Sequence, residues 1–516
     1  MTTLERMPTQ PRPAQRVRSL AIAMCIALSG CATHSLTQAP ASPSAPWQPG
    51  HADATSSASK PNALDTGTEF TIPAIHEASI LPPAPIIDSE QPYSLPALID
   101  IAQRENPDTR LAWNRARQAA LAIGVAEATF LPMLSANVIS GWQKTHTPLP
   151  LLPGDRSIDT ELHGVVPALA LEWLIFDFGQ RRAIVEGIQH MSYAANVLFN
   201  GTHQKIIHDV TEAYYQYGAA RYQVSIATQA LKNSHQVADA VKQRHNAGLA
   251  TVVETALASQ QVAQAKLRRV NSEGVEQISY QAVLRAVGLP PSTRITISNP
   301  PEHALPDSNS AVTDEAIQMA LSQRPDVLAS YAAMKAATAG IAAAEAEFMP
   351  KVYLGAVAAH NRTDFQVRGL PNIRQQTGST SVLLGVTIPL FDGGLRSARL
   401  RDAQIEAAKT SDTFQKIQMD AMREIIAQSN LLRTALASHQ AASELVKTAE
   451  TTYDAALEAY GHGVGTLTAV TIAVTALLDA QQAHMDARTV SQTAAANLAF
   501  VMGAMTSSRE SWINAL

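Results

Sequence analysis

The chain has 516 residues, 46% of them hydrophobic but only 5% aromatic, and a formal net charge of -5. That length holds two units of ordinary domain size. Its scattered basic residues give no electrostatic footprint for nucleic acid, and an alanine-rich, aromatic-poor composition suits close-packed long helices better than a sandwich core.

Residues 1–30 read as a signal peptide rather than structure. Arg12, Arg16 and Arg18 form a positive start, and Leu20 to Leu28 an apolar core too short to span a bilayer as a helix. Leu28-Ser29-Gly30-Cys31 resembles the bacterial lipobox. The resemblance implies cleavage before Cys31 and lipidation of its thiol, and Ala32 in place of Asp implies sorting to the outer membrane. The two cysteines are Cys25 and Cys31, so the mature chain is expected to hold no thiol for a disulfide, metal cage or nucleophile. Residues 31–92 are rich in Pro, Ala, Ser and Thr and bury too little to offset their ordering entropy, which predicts a tether.

The remainder is written twice. Asn106-Pro107-Asp108 matches Arg324-Pro325-Asp326, and Ala126-Glu127-Ala128 leading to Phe130 and Pro132 matches Ala344-Glu345-Ala346 leading to Phe348 and Pro350. Phe176-Asp177-Phe178-Gly179 matches Phe391-Asp392-Gly393-Gly394. Gly248-Leu249-Ala250-Thr251 is aligned with Gly465-Thr466-Leu467-Thr468. The spacing stays near 215–218 residues, which marks two internal repeats, over 93–300 and 310–506, with a tail over 507–516.

Each repeat opens with a helix, Ser94 a cap candidate before Leu95, Leu98, Ile99 and Ala102 at helical spacing, and Thr313 starting the second copy. A second, Ala-rich helix starts at Asp108 or Asp326 and is stopped by Pro132 or Pro350. The period then changes. Leu169, Leu171, Trp173 and Ile175 share one strand face, and Val382, Leu384, Val386, Ile388 and Leu390 do so in the second repeat. Their partners are expected over Met133–His146 and Lys351–Arg362, with loops at Thr147–Thr160 and Thr363–Gln376. Proline-free stretches from about Gln180 to Asn246 and Leu395 to Tyr460 predict helices of roughly 100 Å. They end at turns near Gly248 and Gly465, where Gly suits a left-handed stop. No segment of the mature chain reads as a transmembrane helix. Four strands cannot close a barrel and open edges are forbidden in lipid, so several chains must pool their strands if the sheet lies in a membrane.

Taken together, these repeats resemble the TolC family of outer-membrane efflux ducts in its lipoprotein branch, over Ser94 to Thr506. The resemblance implies an α+β membrane protein: a homotrimer whose twelve strands, four per chain, close a transmembrane β-barrel above a long α-helical coiled-coil tunnel. It implies a periplasmic adaptor and an inner-membrane pump as partners, outer-membrane lipid around the barrel, and passive conduction without a cofactor. By the same resemblance, Gly248, Leu249, Thr251, Gly465, Thr466 and Thr468 would meet the adaptor, although these positions are also what two sharp turns require. Relatives carry acids after the second tip; here Thr471 and Val474 occupy those places. Glu254 becomes the candidate for a charged gate ring, or else a solvated helix-face charge.

Asp177-Phe178-Gly179 spells a kinase magnesium motif without its companions, and its twin marks it as a strand-to-helix junction. His203, His208, His235 and His245 lack the carboxylate or cysteine company of a metal site. No nucleophile constellation or nucleotide loop is present in the sequence, so no enzyme is expected. Small toxic compounds such as drugs, aromatic acids or metals are the expected cargo, with type I protein secretion the alternative and a poreless periplasmic scaffold a remote one.

Overall fold

The computed structural model describes residues 39–40, 42–43, 75–80, 87, 91–148, 157–300, 305, 312–367 and 371–505. The expected signal peptide, the lipidated Cys31, nearly all of the tether and the tail over 507–516 lie outside the described residues. Packing separates two units, Met1–Pro83 and Ala84–Leu516. Among its described residues the first holds one short 3-10 turn, His76–Ser79.

The second unit runs through one order of elements twice. The first pass is β1 (Pro92–Tyr93), α1 (Leu95–Glu105), α2 (Pro107–Ala128), β2 (Met133–Pro148), β3 (Ser157–Phe176), α3 (Gln180–Asn246) and α4 (Val252–Val287). The second is β4 (Thr296–Ile297), α5 (Asp314–Gln323), α6 (Pro325–Ala346), β5 (Lys351–Val367), β6 (Ile373–Thr387), α7 (Leu395–Gly461) and α8 (Leu467–Val501). Helices α3 and α7 have 67 residues each, roughly 100 Å at 1.5 Å per residue.

The strands β2, β3, β5 and β6 form one antiparallel sheet in that order. Because β3 pairs with β5, the two repeats are halves of one body. The strands outrun their expected ends. Pairing continues to Pro148 opposite Ser157 and Phe365 opposite Ile373, well into the stretches read as loops. Polar residues in and beside them are paired rather than loose: Arg374 Nε lies 3.0 Å from Asp364, and, just inside the first, Lys144 Nζ lies 2.6 Å from Glu161. At its other end β6 stops at Thr387, so Ile388 and Leu390 fall outside it, where Pro389 offers no N–H to a ladder.

Buried side chains among the described residues gather in five clusters, three of which join three or more elements. Leu98, Ile99, Ile206, Val210, Tyr214, Leu284 and Val287 join α1, α3 and α4. Ile317, Ile425, Leu432 and Leu498 join α5, α7 and α8. Val237, Val241, Ala258, Tyr460, Leu467 and Val470 bind all four long helices near their turns. The repeated position before each Pro-Asp pair has a task that the sequence did not show. Asn106 Nδ2 donates to Ala286 O at 3.0 Å, and Arg324 Nη1 donates to Val501 O at 2.9 Å, so each Pro-Asp junction grips the end of its repeat's returning helix. Gly288 (φ 86°) and Gly503 (φ 71°) end those helices in the left-handed region, and a Cβ on Gly288 would lie 2.8 Å from Asn106 Cα.

Two expectations need correction. Ser94 occupies the cap of α1 but its hydroxyl makes no capping bond, whereas Thr313 Oγ1 does accept from Ala316 N at 3.3 Å. Helix α6 is, among the described residues, long and apolar enough to cross a membrane. Its apolarity is mostly alanine, and Ala329 and Ala332 are buried against Ala194 of α3, which is helix-bundle packing.

Candidate functional site

The register sorts the sheet into two unlike faces. Leu134, Val138 and Trp142 of β2 lie opposite Leu171, Pro167 and His163 of β3, and this side continues through Leu354 to Leu384 and through Ala356 to Val382. Leu169, Trp173 and Val386 share it. The other face carries Ser135, Asn137, Asn361, Thr363, Ser379 and Ser381, interrupted by Met133, Ile139, Leu162, Val166, Leu174, Val357 and Leu383. On β3, Trp173 and the His163 that faces Trp142 mark the two ends of the apolar side. Their ten-residue separation spans roughly 25 Å for a strand tilted about 40°, the height of a barrel's lipid band with aromatic girdles. Trp173 Nε1 donates to Phe130 O at 2.8 Å, tying β3 to the segment that leads into β2. Val386 lies on the apolar side but one residue from the inner end of β6. Among the described residues, strands β2 and β6 leave their outer edges unpaired.

The Asp-Phe-Gly and Asp-Gly-Gly triplets are strand-to-helix junctions, as their duplication suggested. Asp177 accepts from Gly179 N (3.3 Å), Arg181 N (3.1 Å) and Arg181 Nε (2.7 Å), while Arg181 Nη1 reaches back to Thr129 O at 2.6 Å. Asp392 does the same with Gly394 and Arg396, whose Nη1 reaches Pro389 O at 2.9 Å. Burial pushes the Asp177 carboxyl up, but the bonds from Arg181 outweigh it and hold the group below its ordinary range. These caps fix the direction in which each 67-residue helix leaves the sheet.

The two helical turns are alike, but not in the alignment expected. Gly248 has φ 76° and its counterpart is Gly463 at φ 79°; Gly465 does not have positive φ. Thr251 caps α4 and Thr466 caps α8, through bonds from Glu254 N at 3.2 Å and Ala469 N at 3.2 Å. Leu249 is therefore matched by Val464, and Glu254 by Ala469 rather than Thr471. Leu249, Val252, Val253 and Val464 are exposed large apolar residues, and Thr251, Thr466 and Thr468 are exposed beside them. Gly465 is needed for close approach instead, since a Cβ there would meet Tyr460 N at 2.8 Å.

The gate candidates do not form one group. Glu254 Oε2 accepts from Thr251 N at 2.6 Å, completing a capping box, and that bond holds its carboxyl below the ordinary range. Thr471 is half-buried and its carbonyl accepts from Thr475 Oγ1 at 3.0 Å. Val474 is half-buried and packs against the buried residues joining α7 and α8. Sequence reasoning missed Arg244 and Tyr460. Arg244 Nη1 donates to Tyr460 O at 2.9 Å and its guanidinium lies 4.9 Å from the Tyr460 ring, so it fastens the end of α3 to the end of α7. Their positions four residues before Gly248 and three before Gly463 were the available signal.

A sheet with one lipid-like face, carried on paired helical hairpins, defines an outer-membrane channel subunit. The profile of the family described as outer membrane efflux protein matches residues 98–289 and 316–504, and the chain belongs to that family. It is 26% identical over 409 residues to Protein CyaE of Bordetella pertussis, covering 78% of this chain and 82% of that one. It is 25% identical over 326 residues to the probable outer membrane lipoprotein SilC of Salmonella typhimurium, covering 62% and 66%. The fold is that of the Vibrio cholerae outer membrane protein VceC, with TM-score 0.67 and 21% identity over 79% of this chain and 96% of that one. The protein is thus an outer-membrane component of efflux.

Proposed function

We propose that three chains pool their strands into a twelve-stranded barrel in the outer membrane, and that their helical hairpins form a tunnel through the periplasm. The duct is passive, and a periplasmic adaptor and an inner-membrane pump deliver its cargo. One observation carries this reading: a four-stranded sheet with an apolar face and two unpaired edges. Such edges are intolerable in lipid, and four strands fall short of the eight that even a small barrel needs. Copies joining β6 to β2 remove both defects. The polar face then lines the lumen.

The cargo proposed is small toxic compounds. The lipobox at Cys31 supports a lipid anchor, and the relative SilC is itself named a lipoprotein. The domains follow the sequence: signal peptide 1–30, tether 31–92, repeats over 93–300 and 310–506, tail 507–516. The turn residues Gly248, Leu249, Thr251, Gly465, Thr466 and Thr468, with Val464, all exposed except the half-buried Gly465, meet the adaptor. Among the gate candidates Glu254 alone supplies charge. In planar bilayers the purified protein is expected to conduct ions. Glu254→Gln keeps a capping-box residue while removing the charge, so weaker cation selectivity at unchanged stability supports a ring of Glu254. Unchanged selectivity removes Glu254 from the gate, and failure to conduct at all removes the duct.

A further inference from the structure

A cavity of about 520 Å³ opens between α3 and α8, where the hairpin of the first repeat meets that of the second. Gly218 builds one side of it. A Cβ there would lie 2.5 Å from Pro300 Cγ, so only glycine lets the segment after β4 close down on α3. The lining has two arginines and a histidine but no Asp or Glu among the described residues, in a chain whose acids outnumber its bases 44 to 39. Arg221 is already committed: Nη1 donates to Ile297 O at 2.9 Å, Nε lies 4.0 Å from Glu276, and the guanidinium sits 5.7 Å from the Tyr217 ring. Asp486, two residues from Arg488, accepts from Gln223 at 3.2 Å. Arg488 is half-buried and makes no ion pair with a described carboxylate. His484 stacks on His439 of α7 with ring centroids 4.9 Å apart. Burial first, and then positive neighbours including Arg488, hold both imidazoles below their ordinary pKa, in keeping with an uncompensated positive charge.

A half-buried guanidinium in a cavity with no described carboxylate on its lining leaves N–H donors open to an incoming anion. We propose that this cavity binds a small organic carboxylate, its carboxyl group taken by the Arg488 guanidinium and its body by Tyr222, Met485 and Pro300. The volume, within the range of small-molecule sites, far exceeds what an inorganic anion fills, and a planar guanidinium suits a carboxylate bidentately. Asn299 and Gln492 supply further amide donors to the same space. A ligand there bridges the two hairpins of one chain, and its binding does not require conduction.

The test is calorimetric titration of the full chain in detergent with benzoate, with its neutral isostere benzamide and with sulfate. Saturable benzoate binding is expected, with benzamide and sulfate each at least tenfold weaker. Arg488→Gln is expected to weaken benzoate at least tenfold, and Arg488→Lys less. Ser225→Trp, an exposed position on the α3 wall, fills the space without touching Arg488 and gives the same loss should the arginine variants fail to fold. No benzoate binding, equal binding of benzamide, or wild-type affinity in Arg488→Gln or Ser225→Trp overturns the site. Sulfate binding as tightly as benzoate overturns the organic ligand.

Discussion

Leu169 and Ala168 are neighbours on β3 that the register sends to opposite faces. Leu169 lies opposite Ala136 and Ala358 on the apolar side, and Ala168 opposite Asn137 and Ala359 on the polar side. Both sit midway between Trp173 and His163, so in the proposed barrel Leu169 is at the depth where a lipid-facing charge costs most. Leu169→Arg is expected to cost roughly 2–4 kcal/mol per chain, which is about 30- to 1000-fold in a folding equilibrium. Ala168→Arg points into water and is expected to cost under about 1 kcal/mol. Urea-titrated insertion into vesicles, read by protease protection of the sheet, measures both. Equal damage from the two substitutions, or none from Leu169→Arg, refutes the assignment of faces. Val386, at the inner end of β6, is a weaker probe because the cost falls towards zero at the interface.

Three further outcomes follow from the junctions and turns. Gly288→Ala forces a left-handed backbone, roughly 1–2 kcal/mol, and sets its Cβ against the Asn106 backbone, so the melting temperature drops; an unchanged melt contradicts that close approach. Asp177→Asn leaves the buried Arg181 uncompensated, roughly 3 kcal/mol. Since the Asp177 pKa is depressed in the folded state, its stabilisation is present above the unfolded value of about 3.9 and lost as pH falls through the folded one. The gap between wild type and variant in thermal melts should therefore be full at pH 7 and close below about pH 4. Arg244→Ala removes the bond to Tyr460 O, so amide exchange across 458–466 quickens while that of the sheet does not; equal protection refutes the fastening role.

Helix lengths were legible because nothing interrupts Gln180–Asn246: no proline, a glycine stop at one end and a duplicated aspartate cap at the other. The hairpins were legible from the two-residue period of Leu169, Leu171 and Trp173. Strand ends were not. Thr363, Asp364 and Gln366 look like loop residues, yet a barrel strand outside its lipid band is expected to be polar, and cross-strand pairs such as Arg374–Asp364 hold it. The second turn was misaligned by two residues because Gly461, Gly463 and Gly465 alternate there. Backbone conformation, set by where Thr466 caps α8, selects Gly463 for positive φ and leaves Gly465 to a steric role. Asn106 and Arg324 were visible as a repeated position, but their shared task depends on helix ends about 180 residues away, which no local pattern encodes.

The mass of the detergent-extracted assembly, read by native mass spectrometry, bears most directly on the pooled barrel. A single chain leaves β2 and β6 as open edges, and three chains turn four strands into twelve. The account predicts a particle of three chains that survives dilution and loses its sheet when it falls to monomers. A stable, folded single chain with the sheet intact in the membrane would contradict it.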